Sequence, residues 1–438
     1  MPNKHGVNQY GTKDYPADAA LLAAFVGYAR ENSGAGLSAA DQIARLQLDF
    51  GLSVARNKLF ALRRKVGAPS VRKNKNDLSE PQRIQAVLDL KEDDLQGKWG
   101  VTAVKQRLAN NGVWLTRNNL RTILHDEFDH EFEGRFVGKQ RSKSHRIALF
   151  ALGPWHQEHS DGHEKLSEQG LNIGSGIHLP IYANKDQFAS WVHALILMPN
   201  VRDQIAIAHY YLDLVEGRDY KISLQITTDL GNEVNEMHKI HEALRAEAAP
   251  EFTVDEWPAS KKLPSTKNTP IESFWRWQRN GEGHSVKEAI LLGSQAGIFS
   301  PQDELHKNTF YWIWVPLVQS RLDDFRDYWN HHKLTGNKKK ANPYGSSPKN
   351  MLLNPQSVRP TARDCSIRVN PETVHRMRES YGGQQAREKA YRFYSLEFEA
   401  EANGVYADLG LPRITLETAW DIFRAIVDRL SNLPHYST

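Results

Sequence analysis

The sequence predicts a mixed α/β protein with a helical first third, a strand-rich centre and a mainly helical C-terminal region. In the first third, apolar residues recur at helical spacing between Ser or Thr caps and Gly or Pro breaks. From about residue 150, runs of β-branched and aromatic residues alternate with polar turns. Helical spacing returns from about residue 366. The last such segment presents one apolar face, formed by Leu416, Trp420, Phe423, Ile426 and Leu430.

The composition limits the class of protein. A chain of 438 residues exceeds what one hydrophobic core usually organises, so we expect several domains. Cys365 is the single cysteine, which excludes an internal disulfide and a cysteine-based zinc finger and is typical of a reducing compartment. No stretch approaches the roughly 20 apolar residues of a membrane span, and the first residues lack the apolar segment of a signal peptide. We therefore expect a soluble intracellular protein without a membrane partner.

The first predicted domain, residues 1–75, has the pattern of a helix-turn-helix. Ser38 is placed to cap a helix that ends at Gly51, and Ser53 is placed to cap a second helix. The second helix is basic and lies in a run, 53–76, that contains no acidic residue. Its predicted DNA-binding residues are Arg56, Lys58, Arg63 and Arg64. A basic helix after a short turn is typical of DNA recognition, although a solvated helix face gives the same pattern.

The second predicted domain, residues 76–145, repeats this arrangement and ends in a basic linker. Helices are expected at 79–88, at 101–111 and after a cap at Thr116. The third helix carries Arg and Asn, the side chains that read guanine and adenine edges in the major groove. Its predicted DNA-binding residues are Arg117, Asn118 and Arg121. A small helical bundle with polar surfaces is the alternative, and the tandem repetition favours DNA binding.

The third predicted domain, residues 146–355, is a mixed sheet flanked by helices. A polar strand at 155–161 precedes a hairpin within 177–198, a helix at 201–217 and an alternating strand at 220–229. This order of elements is that of an RNase H-like domain. The remaining residues, 356–438, are predicted to be a helical region, and the sequence indicates no role for them.

Acidic residues end two of these strands. The RNase H-like topology makes the first and fourth strands neighbours, so we expect Asp161 and Asp229 to face each other. Two carboxylates held that close repel each other unless a cation lies between them. A third carboxylate is expected from a later helix packed on the sheet, and the segment 268–285 supplies Glu272.

Four motifs resemble those of DDE transposases and retroviral-type integrases, in particular the integrase core domain proteins common in fungal genomes. They are DGHEKL at 161–166, TTDLGNE at 227–233, KNTPIESFWRW at 267–277, and YWNHHKL with GSSPKNML between 328 and 352. The resemblance covers roughly residues 145–355, about half of the chain. It implies that Asp161, Asp229 and Glu272 form the catalytic, metal-binding triad.

The resemblance implies a DNA transposase or integrase-like recombinase. Its helix-turn-helix domains would bind terminal repeats of double-stranded DNA, and its core would cut the ends and join them to target DNA. Two Mg²⁺ or Mn²⁺ ions would activate a water or 3′-hydroxyl and stabilise the leaving oxygen. Two other functions stay open. One is a domesticated, catalytically silent DNA-binding protein that keeps the fold, and the other is a nuclease of the same fold that does not join DNA.

The helix that carries Glu272 also bears two arginines. Arg276 and Arg279 follow Glu272 by four and seven residues, which places all three on one helical face. Retroviral-type integrases have basic residues at these offsets that hold the DNA end, so the resemblance implies DNA contacts here. The alternative is that Arg276 pairs with Glu272 or faces solvent. Because recombinases bring two ends together, we expect a homodimer or larger assembly on DNA, located in the nucleus of a eukaryote or otherwise in the cytoplasm or nucleoid.

Three histidines lie close to the first carboxylate. His156, His159 and His163 flank Asp161, and imidazole is a good zinc ligand. Their spacing matches no familiar ligand pattern, so we do not expect a histidine metal site. His163 is expected instead to be a polar group near the reacting phosphate.

Overall fold

The computed structural model describes most of the chain. The described residues are 15–70, 78–91, 93–94, 99–127, 151–163, 177–254, 256–263, 268, 270–271, 274–275, 283–335 and 342–436. They divide into two compact units. One comprises the described residues of Met1–Pro154, Phe188–Trp191 and Asp327–Asp364, and the other those of Trp155–Gln187, Val192–Arg326 and Cys365–Thr438. The limits of the four predicted domains stay predictions, because a division into two compact units does not show which segments fold independently.

Three helices form the first helical group: α1 (Asp18–Gly34), α2 (Ala39–Phe50) and α3 (Arg56–Lys65). The Ser38 hydroxyl accepts the Asp41 backbone N–H at 3.2 Å, which confirms the predicted cap. Gly51 ends α2 with a φ of 64°, a conformation that glycine adopts without strain. The predicted cap of α3 is wrong: the helix begins at Arg56, and Ala55 occupies the cap position with no side-chain cap bond.

The second helical group contains α4 (Glu80–Lys91), α5 (Val101–Asn110) and α6 (Arg117–Glu127). The Thr116 hydroxyl accepts the Asn119 backbone N–H at 3.2 Å, so the predicted cap of α6 is confirmed. The two groups pack together in the first unit, since the Trp114 indole donates to the Ala29 carbonyl at 3.2 Å. The two predicted DNA-binding groups therefore form one body.

A mixed sheet of five strands lies in the second unit, within the described residues. The strands are β1 (Gln157–His163), β2 (Ile181–Asp186), β3 (Val192–Leu197), β5 (Gln225–Thr228) and β6 (Ser260–Lys262), in the order β3-β2-β1-β5-β6. β1 is antiparallel to β2 and parallel to β5. The predicted hairpin is confirmed as β2 and β3. The mixed α/β architecture, with an RNase H-like core and helical flanks, is the predicted fold class.

The predicted strand at 220–229 is interrupted, which corrects the expectation of one continuous strand. Its first part, β4 (Lys221–Ile222), pairs with β7 (Ile367–Arg368) in a separate two-stranded sheet. At the break, the Ser223 hydroxyl donates to the Gln225 carbonyl at 3.1 Å. Only the second part, β5, joins β1.

Helices alternate with the strands along the chain and follow them. The central ones are α7 (Gln204–Glu216), α8 (Asn235–Ala248), α9 (His284–Gln295), α10 (Glu304–His331) and α11 (Pro348–Leu353). The Asp203 side chain caps α7 by accepting the N–H groups of Ile205 and Ala206. α7 and α8 share a hydrophobic core with β5 that includes Tyr211 and Ile226.

The C-terminal helices belong to the second unit. They are α12 (Pro371–Ser380), α13 (Gly383–Tyr391), α14 (Leu396–Asp408) and α15 (Ala419–Leu430). On α15, the Trp420 indole donates to the Ala289 carbonyl at 2.7 Å, and its ring fills the space beside Gly293. All five residues of the predicted apolar face are buried. Across the described part of the chain, no helix combines the length and the apolar character that crossing a bilayer requires.

Candidate active site

The first two predicted carboxylates lie on, and directly after, two neighbouring strands. β1 is the central strand of the sheet, and it pairs in parallel with β5, with His159 opposite Thr227. Continued for two residues, this register places Asp161 beside Asp229, which directly follows the end of β5. The predicted adjacency of the two strands is therefore confirmed.

A network of hydrogen bonds holds the turn that follows β5. The Gly231 backbone N–H donates to Asp229 Oδ1 at 3.1 Å. The Lys262 ammonium, on β6, donates to the Gly231 carbonyl at 3.1 Å and to Asn235 Oδ1 at 2.6 Å. Lys262 thus links the edge strand, the turn and the first residues of α8, which restricts the position of Asp229.

Asp161 is held by an aromatic residue of the segment that carries Glu272. The Trp275 indole N–H donates to Asp161 Oδ2 at 2.9 Å. The Trp275 ring also stacks on His163, with 4.6 Å between ring centroids and an interplanar angle of 11°. Asp161 and His163 are two residues apart and therefore point to the same face of β1. His163, predicted to lie near the reacting phosphate, is in contact with this tryptophan.

His159 connects the central strand to two other segments. Its Nδ1 lies 2.6 Å from Asn268 Oδ1 and its Nε2 lies 2.7 Å from Gln187 Oε1. Burial lowers the pKa of His159, so the imidazole is neutral at pH 7 and carries one N–H. One of the two amides must therefore turn its NH₂ group toward the ring. Asn268 precedes Glu272 by four residues, so this contact fixes the chain close to the third predicted carboxylate.

The sequence reasoning missed Glu233 and Tyr182. The Glu233 carboxylate lies against Gly231, where an added Cβ would come within 2.0 Å of Glu233 Oε1. The Tyr182 hydroxyl is buried and has no hydrogen-bond partner among the described residues. Burial raises the pKa of Tyr182 well above its usual value, and the charges of Asp161, Glu233 and Asp229 raise it further. The motif TTDLGNE contains Glu233, but nothing in its spacing distinguished this residue from a surface carboxylate.

The comparison with protein families adds a decisive observation. The family model described as Integrase core domain matches residues 155–354, from just before β1 to just after α11. Residues 155–354 form an integrase core domain. This domain is a member of the retroviral-type integrase and DDE superfamily, as the resemblance implied, and polynucleotidyl transfer is the chemistry of that family. No curated protein matches the chain.

The donor set of the integrase core suits the divalent metals that such domains typically use. Carboxylate oxygens are the preferred ligands of Mg²⁺ and Mn²⁺, and Asp161 on β1 and Asp229 directly after β5 offer two such groups. Within the described residues, no three side chains of His, Cys, Asp or Glu are close enough to hold a metal ion. Glu272 lies outside the described residues.

Two further predicted site residues and one basic segment also lie outside the described residues. These are Arg276, Arg279 and the basic linker at 134–146. The described neighbours of Glu272 on its segment are helical and buried: Ile271, Phe274 and Trp275. Phe274 packs on Phe325 of α10, with 5.8 Å between ring centroids.

The basic residues of α3 differ in what they contact. Arg56, Lys58 and Arg64 are exposed. Arg63 is instead engaged within the fold, because its guanidinium donates to Gln42 Oε1 and to the Pro69 carbonyl, both at 2.6 Å. Burial lowers the pKa of Arg63. The sequence could not separate Arg63 from Arg64, since both lie in one basic run.

The predicted DNA-binding residues of α6 share an accessible surface. Arg117, Asn118 and Arg121 are exposed. Beside them, a groove between α4 and α6 is lined by Glu80, Arg83, Asn118, Asn119, Thr122 and Ile123. The surface outside the integrase core thus offers cations and amide groups on one short helix.

Proposed function

We propose that the chain is a DNA transposase or integrase-like recombinase that cleaves transposon ends and transfers them to target DNA. The observation that carries this proposal is the parallel register of β1 and β5, which, continued for two residues, brings Asp161 beside Asp229 in an integrase core domain. Glu272 is the third member of the proposed triad. Its position four residues after the buried Asn268, which contacts β1, supports this assignment.

The proposed residues act mainly by binding and alignment. Bound Mg²⁺ or Mn²⁺, most simply as two ions, would activate the attacking hydroxyl and stabilise the leaving oxygen. Asp161, Asp229 and Glu272 would hold these ions. Arg276 and Arg279 would contact phosphates of the DNA end. Correct alignment of the hydroxyl with the scissile phosphate then accounts for a large part of the rate.

The helical groups of the first unit are proposed to bind terminal repeats of double-stranded DNA. Exposed cations on α3 would contact phosphates, and Asn118 on α6 is suited to adenine. The cationic residues are Arg56, Lys58, Arg64, Arg117 and Arg121. We leave Arg63 out of this contact set because its guanidinium is occupied internally. A recombinase of this kind would act as a homodimer or larger assembly on DNA, in the nucleus if its host is a eukaryote.

The test is a DNA joining assay with the purified full-length protein. The substrates are DNA segments that flank the coding sequence, a supercoiled target plasmid and Mg²⁺. Joined products support the proposal, and they should disappear in Asp161→Asn and Glu272→Gln variants that still bind the flanking DNA. Nicked flanking DNA without joining would indicate a nuclease, and binding without any cleavage would indicate a silent DNA-binding protein.

A further inference from the structure

Trp275 connects two parts of the integrase core that each supply a proposed metal ligand. It follows Glu272 by three residues, and its indole N–H reaches Asp161 Oδ2 on β1 at 2.9 Å. Its side chain is almost fully buried. A buried N–H that donates to a carboxylate makes a charge-assisted hydrogen bond, which is stronger and more directional than a neutral one.

His163 fixes the plane of the Trp275 ring. The two rings are nearly parallel, and their centroids are 4.6 Å apart. Because His163 and Asp161 point to the same face of β1, the tryptophan ring lies along that face between them. The indole N–H is therefore aimed at one oxygen of the carboxylate, Oδ2.

We propose that Trp275 is a positioning residue, which orients the Asp161 carboxylate for metal binding through its indole N–H. This inference rests on the proposed function and adds a role for a residue outside the triad. Hydrogen-bond donors behind a ligating carboxylate commonly control metal affinity, and their loss typically weakens it by about 10- to 100-fold. The alternative is that Trp275 is only a packing residue.

Phe274 provides a matched packing control. It is the neighbour of Trp275, it is equally buried, and it packs on Phe325 through ring contacts. Its side chain has no polar atom. A loss of metal affinity that comes from loosened packing should therefore appear in a Phe274→Leu variant, whereas a loss that comes from the missing N–H should appear only at position 275.

The experiment measures Mn²⁺ binding to the full-length protein without DNA, by electron paramagnetic resonance of the free ion. Trp275 is replaced by phenylalanine and, in a second variant, by β-(3-benzothienyl)alanine, which keeps the shape of the indole and has sulfur in place of N–H. An Asp161→Asn variant identifies the binding that belongs to this site. We expect both Trp275 variants to bind Mn²⁺ about 10- to 100-fold more weakly. We expect the Phe274→Leu variant to bind as the wild type does, and thermal unfolding shows that the variants are folded.

The outcomes separate this inference from the proposed function. If the benzothienyl variant binds Mn²⁺ as tightly as the wild type, or if Phe274→Leu weakens binding equally, Trp275 is not a positioning residue and the metal site stands. If the wild type shows no binding that Asp161→Asn removes, the proposed metal site itself fails, and this inference fails with it.

Discussion

At the residue scale, the strand that carries Asp161 also contains a fully buried charge, Glu158. Arg218 Nη1 lies 2.6 Å from Glu158 Oε1, and His193 Nε2 lies 3.4 Å from the same oxygen. Burial lowers the pKa of His193 to about 3, so this imidazole is neutral at pH 7 and Arg218 is the counter-charge. Burial opposes ionisation of Glu158, but the charge of Arg218 and the hydrogen bonds from Arg218 and Asn184 together outweigh burial, so the pKa of Glu158 lies below its ordinary value. Glu158 of the central strand and Arg218 thus form a buried ion pair.

A Glu158→Gln substitution should lower the free energy of unfolding at pH 7 by about 3 kcal/mol, because it leaves Arg218 buried without its counter-charge. Asp219→Asn, which removes the exposed partner of Arg368, is the matched control and should cost less than about 1 kcal/mol. Urea unfolding of both variants gives these values. Equal stability of the wild type and Glu158→Gln would contradict the role of this pair.

The same pair predicts a pH dependence. The pKa of Glu158 is lower in the folded protein than its ordinary value of 4.5. The ionised carboxylate therefore contributes its full stabilisation of the fold above pH 4.5, and this stabilisation is lost as the pH falls through the folded-state pKa. The stability difference between the wild type and Glu158→Gln should therefore narrow in acid. Urea unfolding repeated from pH 7 down to pH 3 tests this expectation, and a constant difference would refute it.

Glu233 should influence both the metal-free and the metal-bound protein. Removal of one negative charge near Asp161 and Asp229 relieves like-charge repulsion, so Glu233→Gln should not lower the melting temperature of the metal-free protein. Because Mg²⁺ stabilises the folded state in proportion to its affinity, the rise in melting temperature with Mg²⁺ should be smaller in the variant. The exposed Glu256→Gln is the control. An unchanged response to Mg²⁺ would exclude Glu233 from the metal environment.

At the element scale, α3 and α6 present different sets of exposed cations. Arg117 and Arg121 on α6 are exposed, whereas Arg63 on α3 is used to hold the helical group together. Replacement of both α6 arginines by alanine should weaken DNA binding. It should also reduce the slope of log affinity against log salt by about 2, because each phosphate contact contributes about 0.9. Fluorescence anisotropy at several salt concentrations measures both quantities.

The controls for this experiment come from the same chain. Arg63→Ala should chiefly lower the stability of the first helical group, since it removes two internal hydrogen bonds. Arg424→Ala, on the surface of the other unit, should leave DNA affinity unchanged. If Arg424→Ala reduces the salt slope as much as the double α6 variant does, α6 is not the DNA-binding helix.

The sequence correctly predicted those structural features that depend only on residues close together in the chain. Ser38 and Thr116 cap helices as their positions suggested, because a cap depends on residues within one turn. The break in the strand at 220–229 was missed because Ile222 pairs with Ile367, a partner 145 residues away that no local pattern reveals. The candidate active site also combines a predictable feature with a long-range contact that the sequence did not reveal. The adjacency of β1 and β5 was predictable from topology, whereas the Trp275 bond to Asp161 depends on a tertiary contact.

At the scale of the whole molecule, the C-terminal region is part of the second unit rather than a separate attachment. Arg378 on α12 pairs with Asp213 and Glu216 of α7 at 2.8 and 2.9 Å. Trp420 on α15 reaches α9, the helix that follows the segment of Glu272 in the chain. Residues 365–438, most of the region 356–438 for which the sequence indicated no role, therefore belong to the same unit as the five-stranded sheet.

We propose that Asp161 and Asp229 together bind a divalent ion in this integrase core domain. Anomalous X-ray diffraction from crystals of the full-length protein soaked in Mn²⁺ tests this claim most directly. We expect an anomalous peak in contact with carboxylate oxygens of both Asp161 and Asp229, and we expect the peak to be lost in crystals of the Asp229→Asn variant. Mn²⁺ bound elsewhere, or carboxylates that do not share an ion at saturating Mn²⁺, would contradict the claim.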